Sequence, residues 1–325
     1  MRKTLLVAIL GFAAACGGGG EGDDAVGDDA VGDDAVGDDS AGDDTIDPPD
    51  EGFQLVSPDI TLAPGEETTK CWYFQTPNTA DLGVRRWESV MTPGSHHMIV
   101  YFSDEMQEEP GTITEDCGIT GGGGGLGAVW TYSAQDPEAD QVLPDGVGMP
   151  VQAGQYGFIQ MHYLNASDES VDVHVTLNVD TYAEGTEYTR AAPYITFHYT
   201  LDIPPMSTGV TFGGSCNVPA DRNFYQLGTH AHKQAVHMQV LDGEEMVFET
   251  DDWSHPGGRE WLSAPFHQFT SGTLNYQCVY DNPNNYSIET GDSAQTDEMC
   301  MAVGYMFPAT RPTICVTVGD QSYYF

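Results

Sequence analysis

The sequence predicts an all-β protein, two tandem β-sandwiches that follow a disordered acidic tether. Three observations carry that expectation. From Phe53 onward, short runs of alternating polar and apolar residues are separated by Gly, Pro, Asn and Asp, and no apolar period of 3.6 outlasts a turn or two. The patterned stretch, about 270 residues, is longer than one sandwich usually needs. Residues 17–50 are different: they are almost wholly Gly, Asp, Ala and Val, with no basic residue, and such a segment cannot bury apolar surface.

Composition sets the bounds on function. Of 325 residues, 40% are hydrophobic, enough for a substantial core, while 50 Asp and Glu against 10 Lys and Arg leave a formal net charge of -40. That balance excludes binding by phosphate neutralisation, so nucleic acid is not an expected partner and neutral or cationic ones are.

At the N-terminus, Arg2 and Lys3 precede an apolar run over residues 5–12 that ends in Ala13-Ala14-Ala15-Cys16. This is the charged, apolar, small-residue order of a secretory signal, too short to span a bilayer stably. A small-residue cleavage site ending in Cys and followed by Gly resembles the lipobox of bacterial lipoproteins. The resemblance implies cleavage before a lipidated Cys16 and export to the outer membrane, with the lipid anchor as the sole membrane contact. Residues 17–52 form the tether, in which a Gly-Asp-Asp-Ala-Val period recurs at Gly22, Gly27, Gly32, Gly37 and Gly42 and stops before Pro48-Pro49. Like charges on a glycine-rich chain repel and extend it.

Beyond the tether, residues 171–179 place their valines and Leu177 on one face and polar residues on the other. Residues 194–203 repeat the pattern, with Ile195, Phe197, Tyr199 and Leu201 inward. A Glu- and Gly-containing break at residues 183–189 divides two sandwiches, residues 53–187 and 188–325. A run of glycines at residues 121–125 lacks the Lys-Ser/Thr of a phosphate loop and reads as a surface loop. With Cys16 set aside, Cys71, Cys117, Cys216, Cys278, Cys300 and Cys315 make an even number in an exported chain, which predicts three disulfides. Spacing leaves all fifteen pairings open.

The alternation also sorts the histidines. His174 and His198 fall on polar strand faces, His237 lies between inward Val236 and Met238, and His255 and His267 have no evident partner; none of the five receives a role. His230-Ala231-His232 is an i, i+2 pair projecting from one strand face, a spacing at which two imidazoles converge on one metal ion. His96-His97 are neighbours, which a regular strand points to opposite faces. They can converge only where the strand bends, and Pro93-Gly94 just upstream permits that. His162 shares a face with Gln160. Met299, taken alone, is core filler.

In order along the chain, His96-His97-Met98, Gln160-Met161-His162-Tyr163, His230-Ala231-His232 and Asp297-Glu298-Met299-Cys300 resemble the copper type II, ascorbate-dependent monooxygenases, the family of peptidylglycine α-hydroxylating monooxygenase and dopamine β-monooxygenase. The similarity spans about residues 66–307 and includes Leu143-Pro144-Asp145-Gly146. It implies two jelly-roll-like sandwiches, an electron-transfer copper held by His96, His97 and His162, and an oxygen-binding copper held by His230, His232 and Met299. It implies that Gln160, two residues before His162, supports that ligand from behind without itself touching the metal. It also selects one disulfide pairing: Cys71 with Cys117, Cys216 with Cys315 and Cys278 with Cys300. The donor types agree with copper on their own, since a thioether suits Cu(I) and is a poor zinc ligand.

The function implied is hydroxylation of a substrate C–H bond with O2 and ascorbate or another one-electron reductant, one oxygen atom entering a small-molecule substrate and the other water. Peptide-amidating members hold a substrate carboxylate with an Arg, an Asn and a Tyr where this chain has Gly228, Met301 and Val303, so a smaller or less anionic substrate is expected. Thr69 likewise stands where the family has a Tyr. The alternative is a surface protein that binds or buffers copper without turnover.

Overall fold

Several central strands are buried on both faces and do not alternate in and out, Val175–Thr181 and Ala192–His198 among them. The computed structural model describes residues 46–115, 128–293 and 296–325, all within one compact unit, Asp43–Phe325. Every regular element described is a β-strand, and the sheets pack as sandwiches. In the first half, one sheet runs Gly52–Val56, Val175–Thr181, Leu82–Met91, Val147–Val151, Thr189–Arg190, with Glu138–Val142 also on Leu82–Met91. The other runs Ile113–Glu115, Glu67–Gln75, Tyr156–Leu164, Ser95–Ser103, Ala128–Ala134. Their facing sides enclose a core around Trp87, whose indole stacks on Tyr132 at 5.3 Å.

In the second half, Gly258–Glu260, Asn223–Ala231, Cys300–Phe307, Ala192–His198, Thr313–Val318 and Gln321–Tyr324 form a six-stranded sheet, faced by Ser207–Asn217, Thr273–Asn282, Ala235–Asp242 and Glu245–Thr250. Cys216 is bonded to Cys315 and Cys278 to Cys300. Cys71 is disulfide-bonded as well, but its expected partner Cys117 lies outside the described residues, as do Cys16, the signal segment and residues 121–125. The two halves share apolar packing: Tyr73, Tyr101, Trp130 and Phe158 meet Ile195, Phe197, Met299 and Met301 in one cluster.

Several expectations need correction. The end of the tether is docked, since the Ile46 carbonyl accepts from Gln54 Nε2 and the Asp47 carbonyl from Asn178 Nδ2, each at 2.8 Å. Residues 171–179 are two strands, Val171–Val173 and Val175–Thr181, and in the second every residue is buried, the polar Thr176 and Asn178 included. A strand flanked by two others and covered on both sides hides its polar face too, provided its groups are bonded. Asn178 meets that condition through Gln54, Glu88 and Asp47. His198 is also buried, at the end of Ala192–His198, by packing: its ring lies edge-on to Phe212 at 5.4 Å and its Nδ1 has no hydrogen-bond partner. Tyr199 lies past that strand and is 55% exposed, not inward. Val236, also expected inward, is 42% exposed, because pairing slips between Ala235 and His237 and turns it out.

Candidate metal centre

His97 and His162 are direct cross-strand partners on Ser95–Ser103 and Tyr156–Leu164. The next pair is Tyr163 with Ser95, so His96 is the extra residue of a β-bulge. A bulge rotates its residue away from strict alternation, which brings neighbouring side chains to one side. The turn before it is tight: Gly94 has φ 97°, and its carbonyl accepts the Leu164 amide at 2.7 Å. The outcome is three imidazoles that each offer a nitrogen within 4.8 Å of the others. His96 Nδ1 and His97 Nδ1 stand 3.1 Å apart.

Glu67 fixes the third ring. Its carboxylate accepts from His162 Nε2 at 2.8 Å, so the proton is on Nε2 and the lone pair is on Nδ1. That Nδ1 is buried and has no hydrogen-bond partner. Burial lowers the pKa of all three: His96 falls to about 4, with His162 adding to the effect, His97 lies well below its ordinary value, and His162 falls against the opposing pull of Glu67. Three neutral rings with an unpartnered inward nitrogen suit a metal ion.

On the facing half, His230 lies within Asn223–Ala231 and His232 just past its end, their rings 5.4 Å apart and perpendicular. His232 Nδ1 donates to the Asp297 carbonyl at 3.0 Å, which leaves Nε2 as the free nitrogen. Burial pulls His230 down to about 3 and His232 to about 4. Met299 is buried beside them, its carbonyl taken by the Tyr280 hydroxyl at 2.6 Å, and the Cys278–Cys300 bond anchors the next residue.

The two sets abut. The His97 and His230 rings are 5.9 Å apart, and both, with His232, Met299, Gln160 and Asp292, line a cavity of about 20 Å³. His97 and His230 also line a larger cavity of about 350 Å³ between the halves, within the size range of small-molecule sites. Its acidic lining residues are Asp136, Glu138, Asp140 and Glu260, and no Lys or Arg lines it. Burial and the neighbouring Asp140 raise the Glu260 pKa. Gly228, also on this wall, has no room for a side chain: a Cβ there would sit 2.8 Å from the Gly257 carbonyl.

Three participants escaped sequence reasoning. Glu67 and Glu298 orient ligand candidates from 95 and 66 residues away respectively. Trp253 stacks on His96 across the halves at 6.0 Å, on a loop that Asp252 ties by accepting the Ser254 and His255 amides. Of the histidines left without a role, His255 lines the larger cavity, His174 faces Asp59 at 3.1 Å, His237 donates toward Asp251 at 2.6 Å and His267 stacks on Trp261.

No protein-family model matches the chain. Among curated proteins, tyramine beta-hydroxylase of Caenorhabditis briggsae is 23% identical over 323 aligned positions, covering 84% of this chain. The chain spans 53% of that relative's length. This distant similarity points toward the copper monooxygenases that the motifs resemble. Solved structures with overlapping coverage include the PBSX exported protein XepA, 9% identical over 80% of this chain and 89% of its own with a TM-score of 0.19. Broad Bean Stain Virus, 8% identical over 76% of this chain and 88% of its own, has a TM-score of 0.26.

Proposed function

We propose that this chain is a copper-dependent monooxygenase that hydroxylates a C–H bond of a small neutral or cationic substrate, using O2 and an external one-electron reductant such as ascorbate. The observation that carries the reading is the abutment of two histidine sets, His96, His97 and His162 against His230, His232 and Met299, with His97 and His230 both lining a cavity large enough for a small molecule. His96, His97 and His162 would hold one copper, and His230, His232 and Met299 the other. The bound metal supplies one-electron chemistry and O2 activation; imidazole serves both copper oxidation states and the thioether favours Cu(I).

The chain's own part is positioning. Glu67 and the Asp297 carbonyl fix which nitrogen each imidazole turns inward. The contact between His97 and His230 brings the two sets within reach of one substrate, and apolar packing between the halves holds them there. In the larger cavity the carboxylates attract a cation, and the closed space at Gly228 leaves none for an arginine that would anchor a substrate carboxylate. An aromatic amine such as tyramine, the molecule named in the relative, meets those requirements. We take the chain as two sandwich domains that meet just past the strand Thr189–Arg190, which still pairs with Val147–Val151 of the first and so moves the expected seam at 187/188 a few residues on, exported and tethered through a lipidated Cys16. The disulfides fit an oxidising compartment.

The test is O2 consumption by the copper-loaded chain with ascorbate over a panel of amines, phenols and glycine-extended peptides. Hydroxylated amine in proportion to O2 consumed is expected. Copper binding without any coupled product moves the reading to a copper-buffering protein.

A further inference from the structure

Residues Asp297, Glu298 and Met299 each grip the second histidine pair or its surroundings in a different way. The Asp297 carbonyl holds the His232 ring, and the Met299 carbonyl is held by Tyr280. Between them Glu298 is 0% exposed. Its Oε2 accepts the His232 amide at 2.9 Å and its Oε1 accepts the Gln234 amide at 2.7 Å, while its neighbour's amide, Met299 N–H, approaches Oε2 at 3.3 Å. Its backbone is pinned separately, the amide to the Glu289 carbonyl at 2.9 Å.

A carboxylate in this place is costly, because burial removes it from water. An acceptor with both oxygens engaged is what the local backbone requires: the chain turns sharply after Asn223–Ala231, and the His232 and Gln234 amides of that turn would otherwise face a dry interior. Glutamine has one acceptor oxygen and would set an NH2 group against one of those amides. Glu298 lines neither cavity, so the thioether of the next residue, which lines the smaller one, is what this segment presents to the site.

We infer that Glu298 is a positioning residue that locks the turn carrying His232 to the segment carrying Met299, and so sets the spacing of the imidazole and thioether donors at the second metal site. The inference rests on the copper reading above. It predicts that the lock acts on this site alone, since no hydrogen bond of Glu298 reaches the set of His96, His97 and His162.

The experiment compares the full chain with Glu298→Gln by two readouts. The first is anaerobic Cu(I) titration against a competing chelator, with X-ray absorption of the loaded protein to detect copper–sulfur scattering. In the variant, one copper binds as in the parent, while the other binds roughly 10- to 100-fold more weakly, the size seen when a group behind a ligand is lost, and the sulfur scattering falls. The second readout needs no metal: amide exchange at His232 and Gln234, slow in the parent, becomes fast in the variant while the rest of the sheet stays protected. Unchanged exchange, or unchanged affinity with sulfur scattering intact, overturns the proposal. A variant that fails to fold, or loses both coppers together, also overturns it, by making Glu298 a general structural residue. A parent chain that shows no sulfur scattering sinks the copper reading instead, and amide exchange then judges the lock by itself.

Discussion

His96 and His97 reach a common point because their strand is irregular where they sit, whereas His230 lies within, and His232 just past, a stretch, residues 226–231, that pairs without a break in register. The first set is made by a bulge beside a tight glycine turn, on two paired strands of one sheet, and one carboxylate orients one ring. The second draws on two separate segments, so the distance between them must be fixed by other means: the Glu298 bridge, the Asp297 carbonyl and the Cys278–Cys300 bond. Sites built within one sheet inherit their spacing from strand pairing. Sites built across segments need dedicated ties.

That contrast can be broken at several points. Met299→Ala removes a proposed ligand, so affinity for the second copper falls by more than the roughly 100-fold typical of losing an outer group, and hydroxylation is lost. Chelator competition and product assay read both, with the three-histidine site unchanged. Replacing Cys278 and Cys300 by Ser opens a loop of sequence separation 22 and costs about 3 kcal/mol, read by denaturant unfolding under oxidising conditions. Its metal effect is confined to the second site.

Gly94→Ala forces a Cβ into a φ of 97°, with Val173 at 3.3 Å, at a cost of about 1–2 kcal/mol. Here the affinity change falls on the first site, because the bulge at His96 is what moves. Glu67→Gln leaves a neutral partner at His162 and weakens that site by about tenfold at most, near 1.4 kcal/mol. Smallest is Glu260→Gln, which raises KM for a cationic amine a few-fold, on the order of 0.5–1 kcal/mol, and leaves a neutral phenol unaffected. Steady-state kinetics on the two substrates separates them.

The strand character of the chain was legible because β-patterning and turn residues are local signals. Residues 171–179 show the limit: Val173, Val175, Leu177 and Val179 are buried as their spacing foretells, yet Asn178 is buried too, because what covers its face comes from Gln54 and Glu88 in other strands. His198 is hidden from the sequence in a similar way, because Phe212, which packs against its ring, lies on another strand. At the site, the motifs drew attention to the histidines and Met299, but the bulge was visible only as a permission given by Pro93-Gly94. Glu67, Trp253 and Glu298 carry no periodic signature at all. Their parts depend on partners brought near only by sheet topology.

The Cu(I) stoichiometry of the purified chain, titrated anaerobically with X-ray absorption at saturation, tests most directly whether two metal sites of unlike donors face each other here. Two coppers per chain, with sulfur scattering at one of them, is the predicted result. One copper or none, or two with nitrogen and oxygen donors only, would contradict it.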